Sequence, residues 1–228
     1  WTMTFEGVSG NTTYVSIGNM YENKFLVPAD DPVTLFASSS DNPFEPVRGG
    51  TGYIRAIGCI TDFNELYTST PNSHPVLIYY TDDEEEDHVI WRGCVKAEAY
   101  TLPMTQTKQV IEIPIIDTVS MLSDIKIDSN RGMGYISLAQ LLYNIMMATD
   151  DRLTAILLPA TSAPLTILKH TLQMCNWVEI ADDKNAATTY YRYKPLADIM
   201  ADVCTAYGWS LWQRGDEWVF GRENTSAY

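Results

Sequence analysis

The hydrophobic pattern of this sequence changes its period near residue 128, and this change constrains the fold more than any other feature. Before that point, short segments alternate apolar and polar side chains, which is the period of β-strands. Short strands separated by turn-rich segments are typical of a barrel or a sandwich. We therefore predict an antiparallel, β-barrel-like domain over residues 1–128. Its strands are predicted at 1–6, 14–17, 33–37, 51–58, 74–80, 88–95 and 108–116.

The alternation is clear enough in two strands to predict which side chains face the core. In 51–58, Tyr53 points away from Ile54, so one face of the strand can be buried while the other meets solvent. The segment 108–116 alternates in the same way. Its Pro114 lacks a backbone N–H, which predicts an edge or bulge position for this strand.

An acidic run, 81–87, lies between the predicted strands 74–80 and 88–95. It predicts a hairpin whose tip carries carboxylates. A hard cation could in principle bind there, but a helix-loop-helix calcium site needs alternating ligands and a central glycine, which this run lacks. We interpret the run as a solvated tip that discourages edge-to-edge association.

The second part of the chain has a helical period. In 136–150 the apolar residues fall at i, i+3, i+4, i+7 and i+8, and Ser137 is placed to cap the helix. A second helix is predicted at 195–208, with Pro195 in its first turn and Gly208 just after its last. A short strand at 153–159 and a terminal hairpin at 209–221 complete a smaller α+β domain over 129–228. The whole chain is therefore predicted to be α+β.

Composition limits the classes of partner. Of 228 residues 46% are hydrophobic, enough for a sizeable core, and the formal charge of −14 disfavours binding to a nucleic-acid backbone. No apolar run is long enough for a membrane span. We expect no sequence-specific nucleic acid and no membrane span. Because the chain starts at Trp1 and not Met, we expect it to be an N-terminal or internal part of a longer protein.

The cysteines give no sign of a metal cluster. Cys59, Cys94, Cys175 and Cys204 are widely spaced within apolar runs, whereas metal clusters need close pairs. We interpret them as buried, reduced thiols. This agrees with synthesis in a cytoplasm.

Catalytic constellations are also missing from the sequence. His74, His88 and His170 are far apart and lack motif spacing, although the first two could come close if their strands pair as a hairpin. Asp62 and Glu65 could be imagined as a glycosidase pair, but twenty-nine carboxylates make such a pair common by chance. No serine lies in a nucleophile elbow. We therefore predict no catalytic residue, no cofactor and no metal site.

Several stretches resemble tail proteins encoded by prophages of gut bacteria. In 32–57 a short strand is followed by a polar loop, a Pro-Val-Arg-Gly-Gly turn and a second strand, and 63–68 then leads into the next hairpin. The stretches 136–146 and 195–221 are similar to two later family helices, the second of which is followed by a hairpin. The order and spacing of these stretches carry the resemblance.

The stretch 89–127 continues the resemblance most closely. The family has an aromatic residue and a glycine in a strand, a Tyr-to-Pro loop, and then a strand ending in an aspartate that begins a short helix. Thr118 stands where the family has a glycine. The matching residues are Trp91, Gly93, Tyr100, Pro103, Asp117 and Leu122.

The resemblance implies a hub or tip protein, similar to the baseplate hub of contractile tails. Such proteins carry tube-like β-barrel domains and form a ring, typically a trimer, between the tail tube and the spike or fibre. It further implies a place in the virion tail, synthesis in the host cytoplasm, and no catalytic residues. A ring of this acidity would have a lumen that repels DNA phosphates, so that DNA passes without adhering.

Aromatic residues are the candidate interface anchors, because the chain has six Trp and fourteen Tyr. Trp212 and Trp218 on the terminal hairpin are the first candidates, although they could equally cover the helix 195–208. A different class of function, a module that adheres to surface glycan, would instead use a groove lined by Trp91, Tyr100 or Trp212. We carry both interpretations forward.

Overall fold

The computed structural model describes residues 1–7, 11–18, 24–37, 45–59, 63–66, 73–96, 107–126, 134–149, 155–159, 164–173, 177–181 and 190–221. The first part of the chain forms strands β1 (Thr2–Glu6), β2 (Thr12–Ile17), β3 (Val27–Phe36), β4 (Val47–Arg48), β5 (Thr51–Gly58), β6 (Pro75–Thr81), β7 (Asp87–Val95) and β8 (Gln109–Asp117). Short 3-10 helices lie at Asn64–Leu66 and Ser120–Ser123.

The second part mixes helices with short strands. The elements are β9 (Tyr135–Ser137), α1 (Leu138–Thr149), β10 (Ala155–Leu157), α2 (Pro164–Leu168), β11 (Thr171–Gln173), β12 (Val178–Ala181), β13 (Tyr190–Tyr193), α3 (Leu196–Tyr207), β14 (Ser210–Arg214) and β15 (Glu217–Gly221). The chain is therefore α+β and consists mostly of sheet, as predicted. Within the described ranges, no helix is both long and apolar enough to cross a membrane.

Seven of these strands form one antiparallel sheet in the order β1-β2-β6-β7-β8-β5-β3. Successive side chains of a strand point to opposite faces, so one face of each strand meets the core. On β5, Ile54 and Ala56 are buried while Tyr53 and Ile57 are exposed. This is the alternation predicted from 51–58.

The sheet packs against itself. β7 and β8 pair only between residues 93–95 and 115–117, so the strands on either side of this junction diverge. Side chains from both halves then meet in one core, with Val15 and Ile78 from the first half packed among Ile54 and Ile113 from the second. The opposite faces of the strands remain outside this core.

The described strands do not close into a barrel. The edge strands β1 and β3 meet at one corner, where Thr2 donates its N–H to Lys24 O and accepts the N–H of Leu26, both at 2.8 Å. Beyond that corner β3 has a bulge between Pro28 and Val33. A proline has no backbone N–H to donate, and a bulge interrupts the ladder of hydrogen bonds between strands. Both features limit further strand pairing along β3. The predicted barrel is thus an open sheet whose edges touch at one corner.

Pro114 lies on an interior strand with no bulge in its pairing to β5, and not at the edge or bulge position that its missing N–H predicted. β8 is hydrogen-bonded to β5 along its length, with Tyr53 opposite Pro114. On its other side Pro114 O accepts the N–H of Lys96 at 2.9 Å, one position beyond the last paired residues of β7 and β8. The proline therefore occupies the end of a ladder, where its missing donor removes the least pairing.

The second part has its own core beneath two helices. The apolar face predicted for α1 is buried, and so is that of α3, which lies against the sheet β10-β15-β14-β4. The predicted hairpin at 209–221 is present as β14 and β15, and Gly215 supplies the positive φ (60°) of its two-residue turn. β9 pairs with β11, and β12 pairs with β13.

The ends of both helices follow the predicted capping chemistry. Ser137 Oγ accepts the N–H of Gln140 at 3.2 Å, which caps α1. Gly208 adopts the left-handed conformation (φ 63°) after α3, and Trp209 then donates its N–H to Cys204 O at 2.8 Å. Pro195 differs slightly from the prediction, because it is the cap that precedes α3 and not a residue of its first turn.

The two parts of the chain share backbone pairing and core. β4, which belongs to the first part, pairs in parallel with β14, so Val47 lies opposite Leu211. Val119 and Leu122, which follow β8, are buried in the core beneath α1 and α3. The predicted boundary at residue 128 therefore falls between two parts that are packed together.

Candidate functional site

The acidic run forms the tip of the β6–β7 hairpin, as predicted. Strand pairing ends at Thr81 and Asp87, where Thr81 Oγ1 donates to Asp87 Oδ1 at 2.8 Å. Asp82 Oδ1 accepts the N–H groups of Glu84 and Glu86, both at 2.9 Å. The loop therefore wraps around one carboxylate while its other acidic side chains are exposed.

His88 completes this tip. Its Nε2 lies 2.6 Å from Asp82 Oδ2, and its ring stacks on Tyr80 with centroids 4.9 Å apart. The hydrogen bond from His88, and then that from Glu86 N–H, lowers the pKa of Asp82. Ligand atoms of Asp82, Glu86 and His88 lie within 4.8 Å of one another, a spacing that one metal ion could span. Asp82 already binds His88 and two N–H groups, so an ion would have to displace these contacts.

The other two histidines lie elsewhere. His74 accepts the N–H of Val95 through its backbone oxygen, at the end of the hairpin opposite to His88, and burial lowers its pKa. His170 Nδ1 lies 3.0 Å from Tyr207 Oη in the second part. The register thus separates His74 from His88, and the three rings do not form a common site.

The predicted aromatic anchors differ in how deeply they are buried. Trp218 is fully buried beneath α3 and Trp91 is 8% exposed in the core of the large sheet. Trp212 is half-buried, with its ring close to Gly221. Tyr100 lies outside the described residues. The burial of Trp218 agrees with the alternative that it covers the helix 195–208, and Trp91 offers no open face to a glycan.

Asp117 ties the Gly-Gly turn to the end of β8. Its Oδ2 accepts the N–H of Gly50 at 2.6 Å, and its Oδ1 accepts the N–H of Ser120 at 2.7 Å. Ser120 Oγ donates to Gly50 O at 2.9 Å, which closes the contact. Burial outweighs these hydrogen bonds and raises the pKa of Asp117 to about 6. We call this arrangement the Asp117 clasp.

A cleft of about 530 Å³ opens beside the clasp, between Ser120 and the first turn of α3. Its lining carries the charged side chains of Glu45, Lys96, Asp124 and Asp198. Charges of both signs therefore surround a floor of small residues.

The outer face of β3, β5 and β8 carries an exposed apolar row that the sequence analysis did not identify. Val27, Ile57 and Val110 lie side by side in the strand register and are 54%, 37% and 53% exposed. Phe25, two residues before Val27, is 79% exposed. The alternation of 51–58 places Ile57 on the same face as Tyr53, but only aromatic residues were predicted as anchors.

An ion pair lies next to this row on the same face. Arg55 Nε donates to Glu112 Oε1 at 2.8 Å, and the two residues are opposite each other in the register of β5 and β8. Beyond the pair, Tyr53 contacts Phe36 edge-on, with ring centroids 6.3 Å apart. The face thus carries a neutral charge pair flanked by apolar side chains.

The strand β3 also forms an edge of the large sheet. Its first half is interrupted by Pro28, Asp30, Asp31 and Pro32 and by the bulge. Its second half, residues 33–36, is uncharged, and its last two side chains are exposed. Natural edges are usually blunted by charge, proline or bulges, so only the first half of β3 is protected in this way.

No protein-family profile matches the chain, and no curated protein matches it. Solved structures similar to it include two tail proteins. One is the tail protein from Neisseria meningitidis MC58, with 8% identity and a TM-score of 0.45, over 92% of this chain and 50% of the other. The second is a 43 kDa tail protein of prophage MuSo2 from Shewanella oneidensis, with 12% identity and a TM-score of 0.43, over 76% of this chain and 46% of the other. The chain spans about half the length of each.

Proposed function

We propose that this chain is a structural component of a phage-type tail, a hub or tip protein that joins the tail tube to the spike or fibre. It acts by assembly and not by catalysis, and its place is the tail of the virion. The sequence resemblance of 32–57, 89–127 and 195–221 to prophage tail proteins supports this class of function.

The second half of β3, whose outer side pairs with no strand in the described part of the chain, is the observation that carries the proposal. Residues 33–36 present an uncharged sheet edge with Leu35 and Phe36 exposed. Such an edge is a template for another strand, and a soluble chain keeps it only where a partner covers it. An assembly protein provides that partner.

Pairing between sheet edges of neighbouring copies would also build a ring. The opposite edge of the sheet is β1, which is tied to the segment before β3 only near Thr2 among the described residues. If the β3 edge of one copy pairs with the β1 edge of the next, the contact is heterologous and closes into a ring after a whole number of copies. We propose three copies, as the resemblance implies.

The acidity of the chain fits a passage for DNA. The tip at 83–87 is exposed, and the chain as a whole carries a formal charge of −14. Fixed carboxylates that line a ring repel phosphates, so duplex DNA would pass without binding. In this proposal the tips point toward the lumen.

The test combines sedimentation of the purified chain with negative-stain imaging. The unaltered chain is expected to form rings, and Leu35→Lys, which places a charge on the open edge, is expected to abolish them. Leu165→Lys is the matched control, because Leu165 is an equally apolar residue that is 72% exposed on α2. A chain that stays monomeric at high concentration and retains a glycan ligand would contradict the proposal.

A further inference from the structure

We propose that the outer face of β3, β5 and β8 binds the same face of a second copy of this chain. The two copies are related by a two-fold axis that runs parallel to the strands and between β5 and β8. This contact is additional to the edge pairing proposed for the ring. It uses side chains of the sheet face and leaves the backbone groups of both edges available.

Ile57 and Val110 provide the buried part of this contact, and Val27 and Phe25 lie at its margin. Val27, Ile57 and Val110 form a continuous line across three strands, and Phe25 extends it beyond the edge. Scattered exposed apolar residues are ordinary on a monomer, but a contiguous row on one sheet face marks an interaction surface. Two such faces pack about 10 Å apart, as in a sandwich of two sheets.

The register of β5 and β8 makes the face complementary to itself. Arg55 is opposite Glu112, and Ile57 is opposite Val110. A two-fold axis between these strands exchanges them, so that Arg55 of one copy lies over Glu112 of the second copy, and Ile57 lies over its Val110. Across the contact, the charges of Arg55 and Glu112 therefore meet opposite charges, and the apolar Ile57 and Val110 meet apolar side chains.

The charges of β5 and β8 favour a second copy as the partner, while the exposed Asp30 and Asp31 of β3 lie outside these two strands. The whole chain carries a formal charge of −14, so two copies repel each other over most orientations. The central rows of this face hold one positive and one negative group, Arg55 and Glu112, which sum to zero. A basic partner would gain little here, whereas a copy with the same pair in exchanged positions gains both contacts.

A charge-exchange experiment tests the contact. Arg55→Glu alone gives a face with two acidic groups, and Glu112→Arg alone gives a face with two basic groups. Each variant is expected to lose self-association by about tenfold or more, which is the usual size of the effect of close charge pairs. An equimolar mixture of the two variants is expected to regain the face contact, seen by native mass spectrometry as assemblies that contain both variants.

The matched controls are Arg214→Glu and Glu217→Arg, which alter a comparable exposed ion pair on the terminal hairpin. They are expected to leave self-association unchanged, and circular dichroism checks that all four variants are folded. If the Arg55 and Glu112 variants associate as the unaltered chain does, the face contact is wrong. If the Arg55 and Glu112 variants also form rings in negative stain, the proposed ring stands without the face contact. If Leu35→Lys forms no rings but two copies still associate through the outer face, the face contact stands without the ring.

Discussion

The indole Nε1–H of Trp218 donates a hydrogen bond of 2.7 Å to Thr118 Oγ1, and both residues are buried. The Thr118 hydroxyl donates to Gln213 Oε1 at 2.5 Å, and the Thr118 N–H donates to the same oxygen at 2.9 Å. The Gln213 amide then donates to Arg92 O and Gly215 O, both at 2.7 Å. One network therefore joins the end of β8 to β7 and to the terminal hairpin. Because buried polar groups are costly unless paired, it fixes how the two sheets meet.

Replacing Thr118 by valine tests this network. Thr118→Val keeps the shape of the side chain but removes the acceptor of Trp218 Nε1–H and a donor to Gln213. We expect the free energy of unfolding to fall by about 1–3 kcal/mol, the usual cost of a buried group left without its partner. Urea denaturation measures it. Thr118→Ser, which keeps the hydroxyl, should lose less, and equal losses in the two variants would contradict the role of the hydroxyl.

A second prediction concerns Gly93, where β7 and β8 come together. A Cβ at this position would overlap the carbonyl oxygen of Ile116 and would lie 2.9 Å from Asp117 Cα. Since backbone atoms cannot move aside without breaking the β7–β8 pairing, Gly93→Ala should destabilise the chain by about 3 kcal/mol or more. Thermal denaturation measures this loss. Gly134→Ala is the control, because its Cβ would meet nothing within 4 Å.

Local patterns predicted most of the elements. The period-2 segments became β5 to β8, the acidic run became a hairpin tip, and the apolar faces of 136–150 and 195–208 became buried helix faces. These features depend on side chains close together in sequence, so a single chain is enough to infer them. The hairpin turn at Gly215 was predictable for the same reason.

Long-range pairing was not predictable in this way. Nothing near Val47 indicates that it pairs with Leu211, and Pro114 indicated an edge strand although β8 is interior. The placement of the proposed interface residues was not predictable for a related reason. Trp218 was a candidate anchor because aromatic residues are enriched at interfaces, with burial against the helix 195–208 as the alternative, and its indole N–H has a buried partner in Thr118. The exposed row around Ile57 required the register of three strands, which no single segment of sequence contains.

The tip of the acidic hairpin gives a prediction about ionisation. His88 is the largest cause of the lowered pKa of Asp82, because it hydrogen-bonds the carboxylate at 2.6 Å. His88→Ala should therefore raise the pKa of Asp82 toward its ordinary value. A carbon-detected NMR titration of the side-chain carboxyls measures this directly. His170→Ala is the control, since His170 contacts Tyr207 and not the tip, and an unchanged Asp82 titration in His88→Ala would refute the assignment.

The Asp117 clasp gives a pH dependence of stability. Burial raises the pKa of Asp117 from 3.8 to about 6 in the folded chain, so the fold binds this proton more tightly than the unfolded chain does. The contribution of this proton to the free energy of unfolding is fully present below about pH 4 and is lost as the pH rises through 6. The difference between those two values corresponds to about 3 kcal/mol at most, because one pKa unit is 1.36 kcal/mol.

The measurement compares the unaltered chain with Asp117→Asn by urea denaturation at pH values from 4 to 8. The amide cannot ionise, so the advantage of the unaltered chain over Asp117→Asn should shrink as the pH rises and level off above pH 7. Other carboxylates titrate equally in both chains and cancel in the difference. A difference that grows with pH would mean that the ionised form is the better partner of Gly50 and Ser120, and that hydrogen bonding outweighs burial in the clasp.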